Sequence, residues 1–226
     1  MSKTAGARGG RCLVELIGPA GAGKSSLLRA LRQRDARICG NVEIPRLTYL
    51  RDIPPLLATF AKFHRPFRGL RQKEMKRVLH LTTLGRVLRA PEAEGPHIQV
   101  LDEGPVYMLT RMLCLGEPRF DNEAFHLWWD VAVSQWARRL RLVVCLDAAP
   151  YVLARRIRRR PGPPPISDTT DGSLLPFLEK YRRCYDRVVH QLTEAGGPAP
   201  VTFDTSCLTI DSLANHVLGA IRATGE

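Results

Sequence analysis

Apolar residues recur along the chain in two rhythms. Short runs, CLVELI at 12–17, HIQVL from 97, RLVVCLD at 141–147 and a shorter stretch at 200–204, fit strands, and the continuous apolar run RLVVCLD fits one covered on both faces of a sheet. RICGNVEI at 37–44 fits a further strand, weakened by Gly40 and Asn41. Between them, apolar spacings of three and four predict helices after residue 26 and over 104–116, 121–140, 150–160 and 209–223. LLPFLEKYRRCYDRVVHQLTEAG predicts another, stopped by Gly196. Residues 49–90 have helical character broken by Pro54, Pro55, Pro66 and Gly69, and PGPPPISDTTDG at 161–172 reads as a loop. Strands alternating with helices imply right-handed crossovers and a parallel sheet, so the expected class is α/β in one domain spanning 1–226.

Composition removes several alternatives. A chain of 226 residues with 44% hydrophobic and 25% charged positions can bury a core without a disulfide or metal staple, and is not disordered. No apolar run approaches the ~18–20 residues of a membrane helix, and the polar start MSKTAGARGGRC lacks the apolar region of a secretory signal. The expectation is a soluble, cytoplasmic protein without a membrane span. Six cysteines lie scattered with no CxxC, which disfavours a disulfide framework or a zinc site; Cys12 and Cys145 fall in strands as small core residues. The net charge of +12 comes from 28 arginines and only six lysines. It permits an anionic ligand or nucleic acid without requiring either, because an arginine-rich composition accompanied by 17 prolines and 18 glycines also follows from a GC-rich coding sequence.

The chemistry starts at GPAGAGKS, residues 18–25, which matches GxxxxGK[ST] with a strand before it and a helix after it. Gly18, Gly21, Ala22 and Gly23 let successive N–H groups turn inward toward phosphate oxygens at a helix N-terminus. Lys24 is expected to reach the β- and γ-phosphates of a nucleotide, Ser25 to ligate Mg²⁺, and Ser26 to donate to the α-phosphate. Asp102 and Glu103 end an apolar strand, where ligands collect in an open parallel sheet. Asp102 is the candidate for Mg²⁺, with Glu103 an outer ligand or a base. Five arginines lie within 155–160, and Arg156 and Arg160 share a helical face beside the proline-rich loop.

GPAGAGKSS, the strand ending in acids, VVCLDAAPYVLARRIRRRPG and LPFLEKYRRCYDRVV occur in that order in thymidylate kinases and deoxynucleoside kinases. The chain resembles that branch of the P-loop nucleoside and nucleotide kinase superfamily over nearly its whole length. The resemblance implies a three-layer αβα sandwich with a five-stranded parallel sheet of order 2-3-1-4-5. It further implies an acceptor-binding helical region at about 45–95 and a mobile arginine lid at about 155–173. Lys24 and Ser25 then match the phosphate loop, and Arg156 and Arg160 the lid arginines that close on the transferring phosphoryl group. The implied reaction is ATP- and Mg²⁺-dependent transfer to a small-molecule acceptor, a nucleoside or nucleotide by family default, and is compatible with a homodimer.

Two segments depart from the family pattern. Asp102-Glu103-Gly104-Pro105 lacks the arginine that follows the acid there, and Glu43-Ile44-Pro45-Arg46 only approximates the Glu-Pro after the second strand. Glu43 is the first candidate for a general base toward an acceptor hydroxyl, Glu103 the second, and Arg111 a candidate replacement for the missing arginine. Residues 62–90 supply a basic-faced amphipathic pattern, from Lys62, Arg65 and Arg68 through Lys76 and Arg77 to Arg86 and Arg89. Trp128, Ala132 and Trp136 form a stripe expected in the core. A non-nucleotide metabolite, a polynucleotide 5′-hydroxyl, or a nucleotide-dependent switch with little transfer activity are the competing readings.

Overall fold

The computed structural model describes residues 12–61, 72–89, 98–115, 123–159 and 171–224. Its centre is a five-stranded parallel sheet, β1 (Cys12–Ile17), β2 (Ile38–Cys39), β3 (Ile98–Leu101), β4 (Leu140–Asp147) and β5 (Pro200–Asp204), in the order β2-β3-β1-β4-β5. That is the order the family resemblance implies. Helices α1 (Lys24–Arg34), α7 (Pro150–Arg158) and α9 (Ile210–Ala223) pack on one face. The other face carries α4 (Gln72–Val87), α5 (Pro105–Leu115), α6 (Glu123–Ala137) and much of α8 (Asp171–Glu194), with the short α2 (Arg46–Leu50) and α3 (Ile53–Ala61) beside α4.

The alternation of β1 makes this layering. Leu13 and Ile17 enter the core under α5 and α8, whereas Val14 and Leu16 enter the core under α1 and α9. Glu15 points to the α5 side and is completely buried, a carboxylate in the middle of an otherwise apolar strand. The tryptophan stripe is core as expected: Trp129, Ala132, Val133 and Trp136 are buried, with Trp128 half-buried against them.

Three boundaries differ from the sequence expectation. β2 holds two residues instead of the eight of 37–44. Beyond Cys39, side chains take over the pairing: Gln99 Nε2 donates to the Gly40 carbonyl, and Asn41 Oδ1 accepts from the Asp102 N–H at 2.8 Å. The break expected at Pro54 and Pro55 falls at Arg51 and Asp52, between α2 and α3; the prolines themselves stand in the first turn of α3, where a missing N–H costs no helical hydrogen bond. Asp171 and Gly172, read as the end of a loop, already belong to α8. The stop at Gly196 is as expected, with φ of 84° and the Gly197 N–H closing onto the Leu192 carbonyl at 2.9 Å.

Candidate active site

β1 delivers the phosphate loop at the centre of the sheet's carboxyl edge. Gly18 has φ of 136°, and a Cβ there would stand 2.0 Å from the Leu146 carbonyl oxygen, so only glycine passes this close to β4. The loop closes through the Ala22 N–H to the Pro19 carbonyl at 3.2 Å, and Gly23, at φ of 98°, caps α1. Lys24 Nζ folds back over its own loop, donating to the carbonyls of Gly18 at 2.8 Å and Pro19 at 3.2 Å. Tyr185 of α8 donates to the same Gly18 carbonyl at 3.2 Å, tying the loop to the far side of the core.

Next to the loop, Ser25 Oγ donates to Asp102 Oδ2 at 2.5 Å. Asp102 is buried, and its Oδ1 has no hydrogen-bond partner among the described residues. A hydroxyl and a carboxylate with one orphaned oxygen form a hard, all-oxygen donor pair, which fits Mg²⁺ completed by phosphate oxygens and water.

Glu15, which sequence reasoning passed over, organises the turn after Asp102. Its two carboxyl oxygens accept from the N–H groups of Val106 and Tyr107, both at 2.9 Å, capping α5 from inside the sheet. A Cβ on Gly104 would come within 2.6 Å of Glu15 Cδ, so the turn fits around the carboxyl only as glycine. Burial, partly offset by these backbone donors, pushes the Glu15 carboxyl up to about 8. The one available signal was an acid interrupting a strand otherwise apolar throughout.

One cavity lies against the loop and a second beside the turn after β3. The first, of about 320 Å³, is lined by Gly21, Gly23 and Ser26 on one side and Thr205, Leu208 and Ile210 on the other. Arg156 closes it. Its guanidinium donates to the Thr205 carbonyl at 2.8 Å, to Thr205 Oγ1 at 2.9 Å and to the Gly21 carbonyl at 3.3 Å. The lid arginine of the sequence reading is therefore seated on the loop's outer flank, away from Asp102's side. Arg160 and the segment up to 170 lie outside the described residues; α7 itself ends at Arg158, with Arg155, Arg158 and Arg159 exposed. Arg182, not singled out from sequence because it is one arginine among 28, is half-buried and bridges Asp147 Oδ1 at 2.8 Å and the Ala148 carbonyl at 2.7 Å.

The second cavity, of about 580 Å³, opens between α2, α4 and α5. Arg46, Lys76, Arg77 and Arg111 line it, with Glu103 at the edge nearest Asp102. Arg111 Nη1 donates to Tyr107 Oη at 2.8 Å, and its Nε is buried with no partner among the described residues. Tyr49 Oη and His80 Nδ1 lie 2.8 Å apart between α2 and α4, where burial pulls His80 below its ordinary value. Glu43, by contrast, is exposed in the turn before α2 and does not line this cleft. Arg86 serves packing: it grips Asp52 with Nε to Oδ1 and Nη2 to Oδ2, both at 2.9 Å. Lys62, Arg65 and Arg68 lie outside the described residues.

No family model matches the chain, nor does any curated protein. Solved structures do. A thymidylate kinase from Candida albicans, 14% identical, aligns over 96% of this chain and 94% of its own with a TM-score of 0.59. A deoxyadenosine kinase from M. mycoides with bound dCTP, 12% identical, aligns over 93% and 99% with a TM-score of 0.56. The YorR protein of Bacillus subtilis, solved with phosphorylated GDP, is 16% identical over 93% and 95% with a TM-score of 0.51. The fold is that of the P-loop nucleotide and nucleoside kinases.

Proposed function

We propose that the chain is a kinase that moves the γ-phosphoryl group of ATP to a small molecule held in the cleft between α2, α4 and α5. The observation that carries this reading is the Ser25–Asp102 contact with its orphaned Oδ1, set between a glycine-shaped phosphate loop and a basic cleft. Nucleotide phosphates take the loop N–H groups, and Lys24 leaves the Gly18 and Pro19 carbonyls to meet the β- and γ-phosphates. Ser25 and Asp102 would hold Mg²⁺, which supplies charge neutralisation on the phosphates. The smaller cavity takes the donor base and ribose, with Ser26 at its floor and Arg156 along its side.

The larger cleft takes the acceptor. Its volume suits one small molecule, and its Glu103 edge adjoins the acid that faces the loop, so donor and acceptor phosphorus and oxygen can be brought into line. A nucleoside or nucleotide is the acceptor class the structural likeness favours. Positioning and electrostatics then do most of the catalytic work, as is general for phosphoryl transfer.

The test is Lys24→Ala. The variant should melt within a few degrees of the parent and lose acceptor-dependent ADP formation. A folded Lys24→Ala protein that turns ATP over at the parental rate overturns the reading.

A further inference from the structure

A kinase cleft of this kind faces one of two acceptor oxygens, the hydroxyl of a neutral alcohol or the already ionised oxygen of a phosphate. The two make opposite demands on the walls. An alcohol requires a positioned base to take its proton. A phosphomonoester is ionised near neutral pH, its second pKa being about 6, so it needs no base. It must instead be brought against a γ-phosphate of the same sign, which only surrounding cations make tolerable.

The walls meet the second demand. Arg46 from α2, Lys76 and Arg77 from α4 and Arg111 from α5 line one cavity in which Glu103 is the single carboxylate among the described residues. Arg111 is held in place by Tyr107 Oη, yet its buried Nε has no partner among the described residues, so part of a planar two-pronged donor set stays available to an anion. For the first demand, Glu43 lies exposed outside the cleft and His80 Nδ1 is already engaged with Tyr49, which leaves Glu103 as the one candidate base in the lining among the described residues, facing four cations. The Tyr49–His80 pair, stacked between α2 and α4 beside those cations, adds a flat aromatic surface for the organic part of the acceptor.

Resting on the kinase reading above, we infer that the cleft binds a phosphomonoester and that its phosphate oxygen accepts the transferred group. The bond from the γ-phosphorus to the β–γ bridging oxygen breaks, its electron pair leaving on ADP. A new phosphorus–oxygen bond forms to the acceptor phosphate. The products are ADP and an organic diphosphate, and no proton is removed from an ionised acceptor.

Matched pairs test this directly. The full chain, saturated with Mg²⁺ and the non-hydrolysable analogue AMP-PNP, is titrated calorimetrically with thymidine and thymidine monophosphate, adenosine and AMP, and inorganic phosphate alone. The phosphorylated member of at least one pair should bind about tenfold or more tightly than its alcohol. Lys76→Met, at an exposed position, and Arg111→Met should each shrink that preference while AMP-PNP affinity stays within about threefold. Alcohols binding as tightly as their phosphates, a preference that survives both substitutions, or no binding of any probe would each overturn the inference. AMP-PNP binding intact in those cases leaves the kinase reading standing; a parent that fails to bind Mg·AMP-PNP overturns that reading first.

Discussion

Ser25 and Asp102, 77 residues apart in the chain, meet through a 2.5 Å hydrogen bond from the hydroxyl to Oδ2. The contact joins the first residue pair of α1 to the end of β3, and so binds the phosphate loop to the turn beside the cleft between α2, α4 and α5. It also leaves Asp102 Oδ1 buried and unpartnered among the described residues, a costly state unless a cation or water completes it.

Asp102→Asn tests that account. The amide can still accept from Ser25 but presents no second anionic oxygen. Turnover should fall by about 10²-fold or more, and the Mg²⁺ concentration for half-maximal rate should rise. A Mg²⁺ titration of steady-state rate checks it; a profile within a few-fold of the parent would move the metal to another acid.

Arg156→Ala distinguishes two roles for one arginine. Its bonds to Gly21 and Thr205 place it beside the smaller cavity, the proposed seat of the nucleotide, so its loss should weaken AMP-PNP binding by about tenfold with kcat at saturating ATP nearly unchanged. The KM-against-kcat split decides. A collapse of kcat with unchanged nucleotide affinity would mean that the arginine leaves Thr205 and closes on the transferring group, as the family resemblance implied.

Glu15 should set a pH dependence of stability. Its carboxyl rises from 4.5 to about 8 on folding, chiefly through burial, so the folded protein binds the extra proton across that interval. Stability from this group is full below about pH 4.5 and declines as pH rises toward 8, at up to about 1.4 kcal/mol per pH unit. His80, pulled down by burial, tilts the total the other way below its ordinary value. The parent-minus-variant difference therefore matters. Urea melts of the parent and Glu15→Gln from pH 5 to 8 should show the parent losing ground as pH rises; parallel curves would place the carboxyl's proton elsewhere.

The sequence carried the fold because its central strands, β1, β3 and β4, are almost wholly buried, whereas the edge strand β5 is mostly exposed. RLVVCLD and CLVELI read as strands without any knowledge of partners, and the sheet they form has the order that the family resemblance implied. The phosphate loop was equally legible, since Gly18 and its neighbours are fixed by local backbone geometry. The cleft between α2, α4 and α5 was legible in part: Arg111 was singled out and does line it, whereas Glu43 was singled out and does not. Arg46 and Arg77 line it from α2 and α4, and among 28 arginines no spacing separates these two from Arg86, which spends its charge on Asp52. β2 was overread for a related reason: Gln99 and Asn41 complete its edge with side-chain hydrogen bonds, which no hydrophobic pattern records. Arg156 shows the limit of helical spacing, which placed it on a face but not on Thr205, 49 residues further on.

The central claim is that loop and cleft are two halves of one transfer site, and the fate of the γ-phosphorus tests it most directly. Phosphorus NMR of the full chain with Mg·ATP and a pool of nucleosides, nucleoside monophosphates and sugar phosphates follows that atom. The account predicts that the γ signal is lost in step with the growth of an organic phosphate product and an equal amount of ADP, and that this transfer requires the pool. A γ-phosphorus that emerges only as inorganic phosphate, at the same rate with and without the pool, would contradict it.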